Sequence, residues 1–282
     1  MHTDCPHYYR YALEDETEDN FTNRLVANLR ALIEKEGPDT IAAFIAEPVM
    51  GAGGVIPPPE SYFRKIQPLL KEYDILFIAD EVICGFGRTG NMFGSETYDL
   101  KPDIITVAKG LSSGYLPISA LMLREEVFDL LLYQSKEIGI FGHGFTYGGH
   151  PVSCAVALEA LKIYEETNLI NHVQKMSPIF EAELRTLKTN PLVGEVRQIG
   201  MLGAIEIVKN KITKEPFKTT DKIGPLLVEL MQKNGLISRA MGDSIAFAPP
   251  LIINEKQIQE MVLIVKRSIR ELYELLEQRD KN

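Results

Sequence analysis

Apolar positions follow two rhythms along this chain. Residues 20–35 repeat theirs at helical spacing, and Ile41-Ala-Ala-Phe-Ile-Ala-Glu-Pro48 is a continuous run that reads as a buried strand ending at a proline. Residues 61–73 return to helical spacing. The run Ile75-Leu-Phe-Ile-Ala-Asp80, a glycine-rich loop, the run Ile104-Ile-Thr-Val-Ala-Lys109 and a third run, Ile118-Ser-Ala-Leu-Met-Leu123, follow in order. Continuous apolar runs joined by helices predict an α/β domain whose sheet is parallel and covered on both faces.

From Pro151 to about Glu166 the spacing of Ala, Val and Leu is that of a long helix leaving the sheet. A second unit begins near there. It is expected to hold a helix over 177–189, strands within 193–208, a helix over 221–234, a strand pair within 237–252 turning at Met241-Gly-Asp243, and a last helix from Glu255 to about Gln278. Hairpin signals among helices suggest an α+β subdomain, so the division drawn is 1–165 and 166–282. Residues 279–282 read as a polar tail. Met1 to Tyr11 shows neither a cap nor a strand pattern, and three or four strands are few for so much covering helix; the chain is expected to start within a domain.

Composition narrows the partners. The 282 residues carry a formal charge of −9 and no cluster of Lys and Arg, which argues against a nucleic-acid or acidic-membrane surface, since phosphate binding needs a positive field. Small molecules and other subunits are the expected partners. Cys5, Cys84 and Cys154 lack the close pairing of a redox or zinc site and suit a reducing compartment. No membrane span, signal segment or transit pattern is legible, so the cytoplasm is the default expectation.

Asp80 and Lys109 end two neighbouring apolar runs, with the lysine among the small residues Ala108, Gly110, Ser112, Ser113 and Gly114. Alone, the aspartate could be a helix cap, a surface turn or a metal ligand, and the lysine could be a surface side chain. Together they fit pyridoxal phosphate chemistry, in which an acid keeps the pyridine nitrogen protonated and an amine forms the Schiff base; parallel strand ends bring both to one crevice.

Gly85-Phe-Gly87-Arg-Thr-Gly90 has the dinucleotide spacing, but the aperiodic stretch 91–100 opens no helix and no acid follows at the next strand end, so a structural loop is the better reading. Gly142-His-Gly-Phe-Thr146-Tyr-Gly-Gly-His150 offers backbone donors and the Thr146 hydroxyl for a phosphate, or is a plain flexible loop. His143 and His150 have no acidic or Cys partner at ligand spacing, so no metal is expected. Arg239, ahead of the Gly-Asp turn and Ala248-Pro-Pro250, is either a carboxylate clamp or an ordinary surface arginine.

These stretches resemble the class III aminotransferases, pyridoxal phosphate enzymes of the aspartate aminotransferase fold (fold type I) that include ω-amino acid:pyruvate transaminases. The resemblance is carried by Ala43-Phe-Ile-Ala-Glu-Pro-Val-Met-Gly-Ala-Gly-Gly54, Ile78-Ala-Asp-Glu-Val-Ile-Cys-Gly-Phe-Gly-Arg-Thr-Gly90, Pro102-Asp-Ile-Ile-Thr-Val-Ala-Lys-Gly-Leu-Ser-Ser-Gly-Tyr115 and His143-Gly-Phe-Thr-Tyr-Gly-Gly-His-Pro151. Arg239-Ala-Met-Gly-Asp243 and Ala248-Pro-Pro-Leu251 extend it.

The resemblance implies a mostly parallel sheet flanked by helices plus a C-terminal α+β domain. It implies Lys109 as the Schiff-base lysine, Asp80 as partner of the ring nitrogen, Val82 against one ring face and Glu47 beside the site. Thr146, with the backbone near Phe145, would hold the phosphate of the cofactor in the opposite subunit of a homodimer, and Arg239 would bind the substrate carboxylate. Similar enzymes carry a long further segment ahead of this chain's first motif, with a Gly-Ser phosphate loop, an aromatic that stacks on the other ring face and part of the substrate pocket; the chain is therefore expected to be N-terminally truncated.

The expected activity is transfer of an amino group from an amino acid or amine to a 2-oxo acid such as pyruvate. Two other readings stay open: a catalytically incomplete fragment acting as a dimerising or binding protein, and an aminomutase or racemase on the same scaffold.

Overall fold

The structure is a computed structural model that describes residues 1–279. A single turn, α1 (Tyr8–Tyr11), precedes α2 (Glu18–Glu36). The Thr17 hydroxyl caps α2 by accepting from the Asn20 N–H at 3.3 Å, and Glu18 and Asp19 favour its positive end. Its buried stripe of Phe21, Leu25, Leu29 and Ile33 recurs every fourth residue, the spacing of one helix face. After β1 (Ala43–Ala46), that stripe meets Phe63, Ile66, Leu69 and Leu70 of α3 (Tyr62–Glu72), and both helices cover β2 (Leu76–Asp80) through Phe77.

The short α4 (Gly94–Thr97) leads to β3 (Ile104–Val107) and β4 (Ala120–Leu123). Among the described residues these strands form a four-stranded sheet in the order β1-β2-β3-β4. β1, β2 and β3 run parallel, with Ala46 opposite Ala79 and Asp80 opposite Thr106.

The sheet is mostly parallel, as the resemblance implies, but the expectation of cover on both faces is corrected at its edges: Ile45 of β1 is exposed, and β4 departs further. β4 returns antiparallel to β3, because the turns after Lys109 reverse the chain within a dozen residues, too few for a parallel crossover. It is also bare: Leu121 is 65 % and Met122 40 % exposed. Next comes α5 (Glu125–Ile138), which the sequence reading passed over and which has no buried residue among those described.

α6 (Pro151–Glu166) packs back onto the turn after β3, its Tyr164 hydroxyl donating to the Gly110 carbonyl at 2.6 Å. α7 (Leu169–Arg185) starts eight residues before the expected 177, with Pro178 inside rather than at its start. β5 (Val193–Ile199), β6 (Leu202–Ile207), α8 (Ile223–Lys233), the hairpin β7 (Arg239–Met241) and β8 (Ser244–Phe247), and α9 (Glu255–Arg279) complete the chain. The second sheet is antiparallel in the order β5-β6-β8-β7. Of the tail read at 279–282, Arg279 ends α9 and the rest lies outside the described residues.

A large core joins α7, α8 and α9 to the second sheet through Phe180, Leu184, Leu227, Ile245 and Val265. A smaller one, with Val49, Val55 and Cys84 against Leu202 and Ala204, welds the loops beyond the first sheet to the second.

Candidate active site

Three chemically active side chains leave the carboxyl ends of three adjacent parallel strands. Glu47 follows β1, Asp80 closes β2, and Lys109 lies two residues past β3. In parallel α/β sheets this edge is where ligands are held, because the strand ends open into a crevice. Burial pushes the Glu47 carboxyl above its ordinary value; a hydrogen bond from the Gly51 N–H (2.8 Å) opposes that, and so does the charge of Lys109, while the charge of Asp80 adds to it. Glu47 thus feels both groups at once.

Lys109 takes a left-handed backbone, φ +42°, where the chain leaves β3 for a 3₁₀ turn over Lys109–Ser112. A non-glycine residue rarely adopts that conformation, and such strain gathers at working sites. Its side chain is exposed and makes no hydrogen bond or ion pair among the described residues, so the amine is unengaged. The surroundings are close-packed nonetheless: a Cβ at Gly110 would come within 3.0 Å of the Phe86 ring.

Asp80 is half-buried and accepts from the Val82 N–H at 3.1 Å, which places Val82 on the same lip. The loop that follows spends its own donors. Phe86 N–H (2.6 Å) and Gly87 N–H (3.3 Å) both go to the Met92 carbonyl, and Gly90 N–H goes to Gly87, so these glycine-loop amides are engaged inside the loop.

Phe145 and Thr146 stand elsewhere. They lie in the exposed stretch 139–150 ahead of α6, Phe145 at 81 % exposure, and no hydrogen bond, ion pair or ring contact joins them to Glu47, Asp80 or Lys109 among the described residues. Arg239 opens β7 on the second sheet, exposed and without an ion-pair partner among the described residues.

A cavity of 510 Å³ is bounded by the arm at Met1–Pro6, by Ala43–Glu47 of the β1 edge and by Asp80. Lys109 is not among its walls. The cavity is the trough beside the unpaired edge of β1, so the strand ends rather than the cavity define the site.

Two buried features escaped the sequence reading. Glu81, adjoining Asp80, is fully buried, and the acid in an otherwise apolar run was the available signal. Farther off, His7, Glu195 and Glu206 converge around the Arg197 guanidinium. It donates to Glu195 (2.5 Å), Glu206 (2.9 Å), Ser244 Oγ (2.7 Å) and the carbonyls of Gly54 (2.7 Å) and Val55 (3.0 Å). The place a metal ion would take among those three ligands holds a guanidinium already. These partners lie up to 190 residues apart, beyond the reach of any local pattern.

The pattern of the family described as Aminotransferase class-III matches residues 1–269. "Probable gamma-aminobutyrate transaminase 3, mitochondrial" of Oryza sativa subsp. indica is 54% identical over 262 residues, covering 93% of this chain and 51% of that protein. "Gamma aminobutyrate transaminase 1, mitochondrial" of Solanum lycopersicum is 51% identical over 278 residues, 99% of this chain and 54% of that protein. Among solved structures, one described as "Transaminase with L-ala" superposes with a TM-score of 0.96 at 50% identity, over 98% of this chain and 65% of its own. The omega transaminase of Pseudomonas jessenii in complex with PMP gives 0.95 at 48% identity, over 98% and 61%. The chain spans about half the length of these two plant relatives.

Proposed function

The chain belongs to the class-III aminotransferase family, and from that premise we propose that it moves an amino group from an amino-acid or amine donor to a 2-oxo acid such as pyruvate, with pyridoxal phosphate as cofactor. The observation that carries the reading is the shared edge: an unengaged, strained Lys109 and a half-buried Asp80 at neighbouring parallel strand ends, both within the electrostatic reach of Glu47.

That donor set fits the cofactor. Lys109 would bond its aldehyde carbon, Asp80 would hold the proton on its ring nitrogen, and Val82 would face the ring. When bound, the cofactor supplies an electron sink for the carbon that loses its proton. The Lys109 Nζ would be the base that carries that proton. Glu47 borders the substrate space. Arg239, a cation with no carboxylate partner among the described residues, would take the substrate carboxylate.

Names of the relatives favour an ω-amino acid donor, with γ-aminobutyrate as the first to try. The homodimer belongs to the same proposal: Thr146 would reach the partner's cofactor, and the exposed α5 and the exposed stretch 139–150 are the surfaces available for it. The division at 165/166 into part of a large cofactor domain and a small C-terminal domain is likewise proposed. So is a cytoplasmic location; the three cysteines are free, which suits equally the interior of an organelle such as those named for the relatives. Among the described residues no helix is long and apolar enough to cross a membrane.

A second reading, a catalytically incomplete fragment that only dimerises or binds, is favoured by the bare β4 and α5. Product analysis separates them. The purified chain, with pyridoxal phosphate, γ-aminobutyrate and pyruvate, is expected to form alanine; a folded protein that forms none supports the fragment, and a rearranged or racemised donor without alanine supports the aminomutase or racemase.

A further inference from the structure

We propose that Glu81 is the positioning residue that aims Asp80 into the crevice. The inference rests on the reading of Asp80 as partner of the ring nitrogen and adds a residue that this reading does not use.

Asp80 is lightly held. Among the described residues its carboxylate accepts one hydrogen bond, from the Val82 N–H two residues on, and a bond that local moves with the loop. Glu81 is the opposite case. It has no exposure, and its carboxylate accepts from the Gly94 N–H (2.8 Å), the Ser95 N–H (2.6 Å) and the Ser95 hydroxyl (2.6 Å). Its backbone N–H donates to the Thr106 carbonyl of β3 at 2.9 Å, and its carbonyl accepts from Gly85 at 2.8 Å.

Every polar group of Glu81 is therefore fixed, and it ties the end of β2 to β3, to the following loop and to α4. Side chains of consecutive residues in an extended segment point to opposite faces, so a backbone rotation between positions 80 and 81 moves the Cα–Cβ bonds of both residues together, leaving the Asp80 carboxylate only its own χ1 and χ2. A buried carboxylate with its acceptors filled is costly to move, since each lost donor leaves a charged group unsatisfied. The anchoring of Glu81 thereby fixes from behind the direction in which the Asp80 Cα–Cβ bond leaves the strand, and the Val82 hydrogen bond sets the carboxylate on it.

The test is spectroscopic. Pyridoxal phosphate is added to the purified chain, and the pH midpoint of the visible lysine–cofactor band is titrated for the wild type, Glu81→Gln and Ser95→Ala, with thermal unfolding measured alongside. Gln presents an amide NH₂ to one of the backbone donors and loosens the anchor; Ala at 95 removes one donor of the three. If Asp80 then drifts from the ring nitrogen, that nitrogen loses its proton, and the imine, relieved of a neighbouring positive charge, holds its own more tightly.

The midpoint is expected to rise by about half a pH unit or more in Glu81→Gln, and by less in Ser95→Ala. Mere loss of a nearby negative charge would lower it. A midpoint unchanged or lowered, with only the unfolding temperature reduced, overturns the proposal; should Glu81→Gln fail to fold, the rise or its absence in Ser95→Ala decides alone. A wild-type chain with no visible band removes the site reading and this inference with it, whereas a wild-type band with unshifted variants removes this inference alone.

Discussion

Asp80 stands opposite Thr106 in the parallel register of β2 and β3, and the chain runs three residues from Thr106 to Lys109. The strand ladder thus fixes the relative height of acid and amine. A slip of one residue would turn β3's side chains to the opposite face, so the register is part of the proposed site.

Arg239 offers the simplest separation of function from stability. It is exposed and has no ion-pair partner among the described residues, so Arg239→Leu is expected to change unfolding free energy by no more than about 0.5 kcal/mol. A charge-assisted bond to a substrate carboxylate is worth about 1.5–3 kcal/mol, so KM for pyruvate is expected to rise roughly tenfold to a hundredfold while an uncharged amine donor is little affected. Steady-state kinetics with both substrates check this, and equal loss for the two would contradict the assigned role.

Arg197 should behave in the reverse way. Its guanidinium, 5 % exposed, pairs with Glu195 and shares Glu206 with Arg10, and Arg197→Met would leave Glu195 with only His7 in a largely buried setting. The expected cost is about 3–5 kcal/mol by urea unfolding.

The same cluster gives a pH signature. Burial tends to raise the Glu195 carboxyl, but the hydrogen bond from His7 and the charge and hydrogen bond of Arg197 outweigh it and hold the folded value below the ordinary 4.5. On acidification the unfolded chain takes up that proton first, so the stabilisation is full above the unfolded value and is lost as pH falls through the folded one. The stability gap between wild type and Glu195→Gln is expected to be constant near neutrality and to close below about pH 4.5. A gap that widens in acid would contradict the assignment.

Gly224 is a packing test. A Cβ there would lie 1.9 Å from the Gly242 carbonyl oxygen, at the turn of the hairpin that carries Arg239. The Gly224 N–H also donates to the Asp243 carboxylate at 3.0 Å. Gly224→Ala is expected to cost about 1–3 kcal/mol, read as a lowered unfolding temperature.

Helices α2 and α3 were legible because each buries a clean stripe, as in Phe21, Leu25, Leu29 and Ile33, and β1, β2 and β3 because each carries a continuous apolar run, though only β2 buries more than one residue of it. β4 was legible from its apolar run at 118–123 although it is largely exposed, whereas α5 was passed over and has no buried residue among those described. The expected helix start at 177 lies inside α7, which begins at Leu169 and carries Pro178 within it. Asp80 and Lys109 could be paired from sequence because each ends an apolar run. The strain at Lys109, the anchoring of Glu81 and the Arg197 cluster depend on backbone geometry and on contacts across up to 190 residues, which no local spacing records.

The central claim is that Lys109 is the residue that bonds the cofactor. Incubation with pyridoxal phosphate, reduction with borohydride and peptide mass spectrometry locate the bond directly. The added mass is expected on the peptide containing Lys109 and is expected to be absent from Lys109→Ala. Labelling spread over other lysines, or a protein that takes up no cofactor, would contradict it.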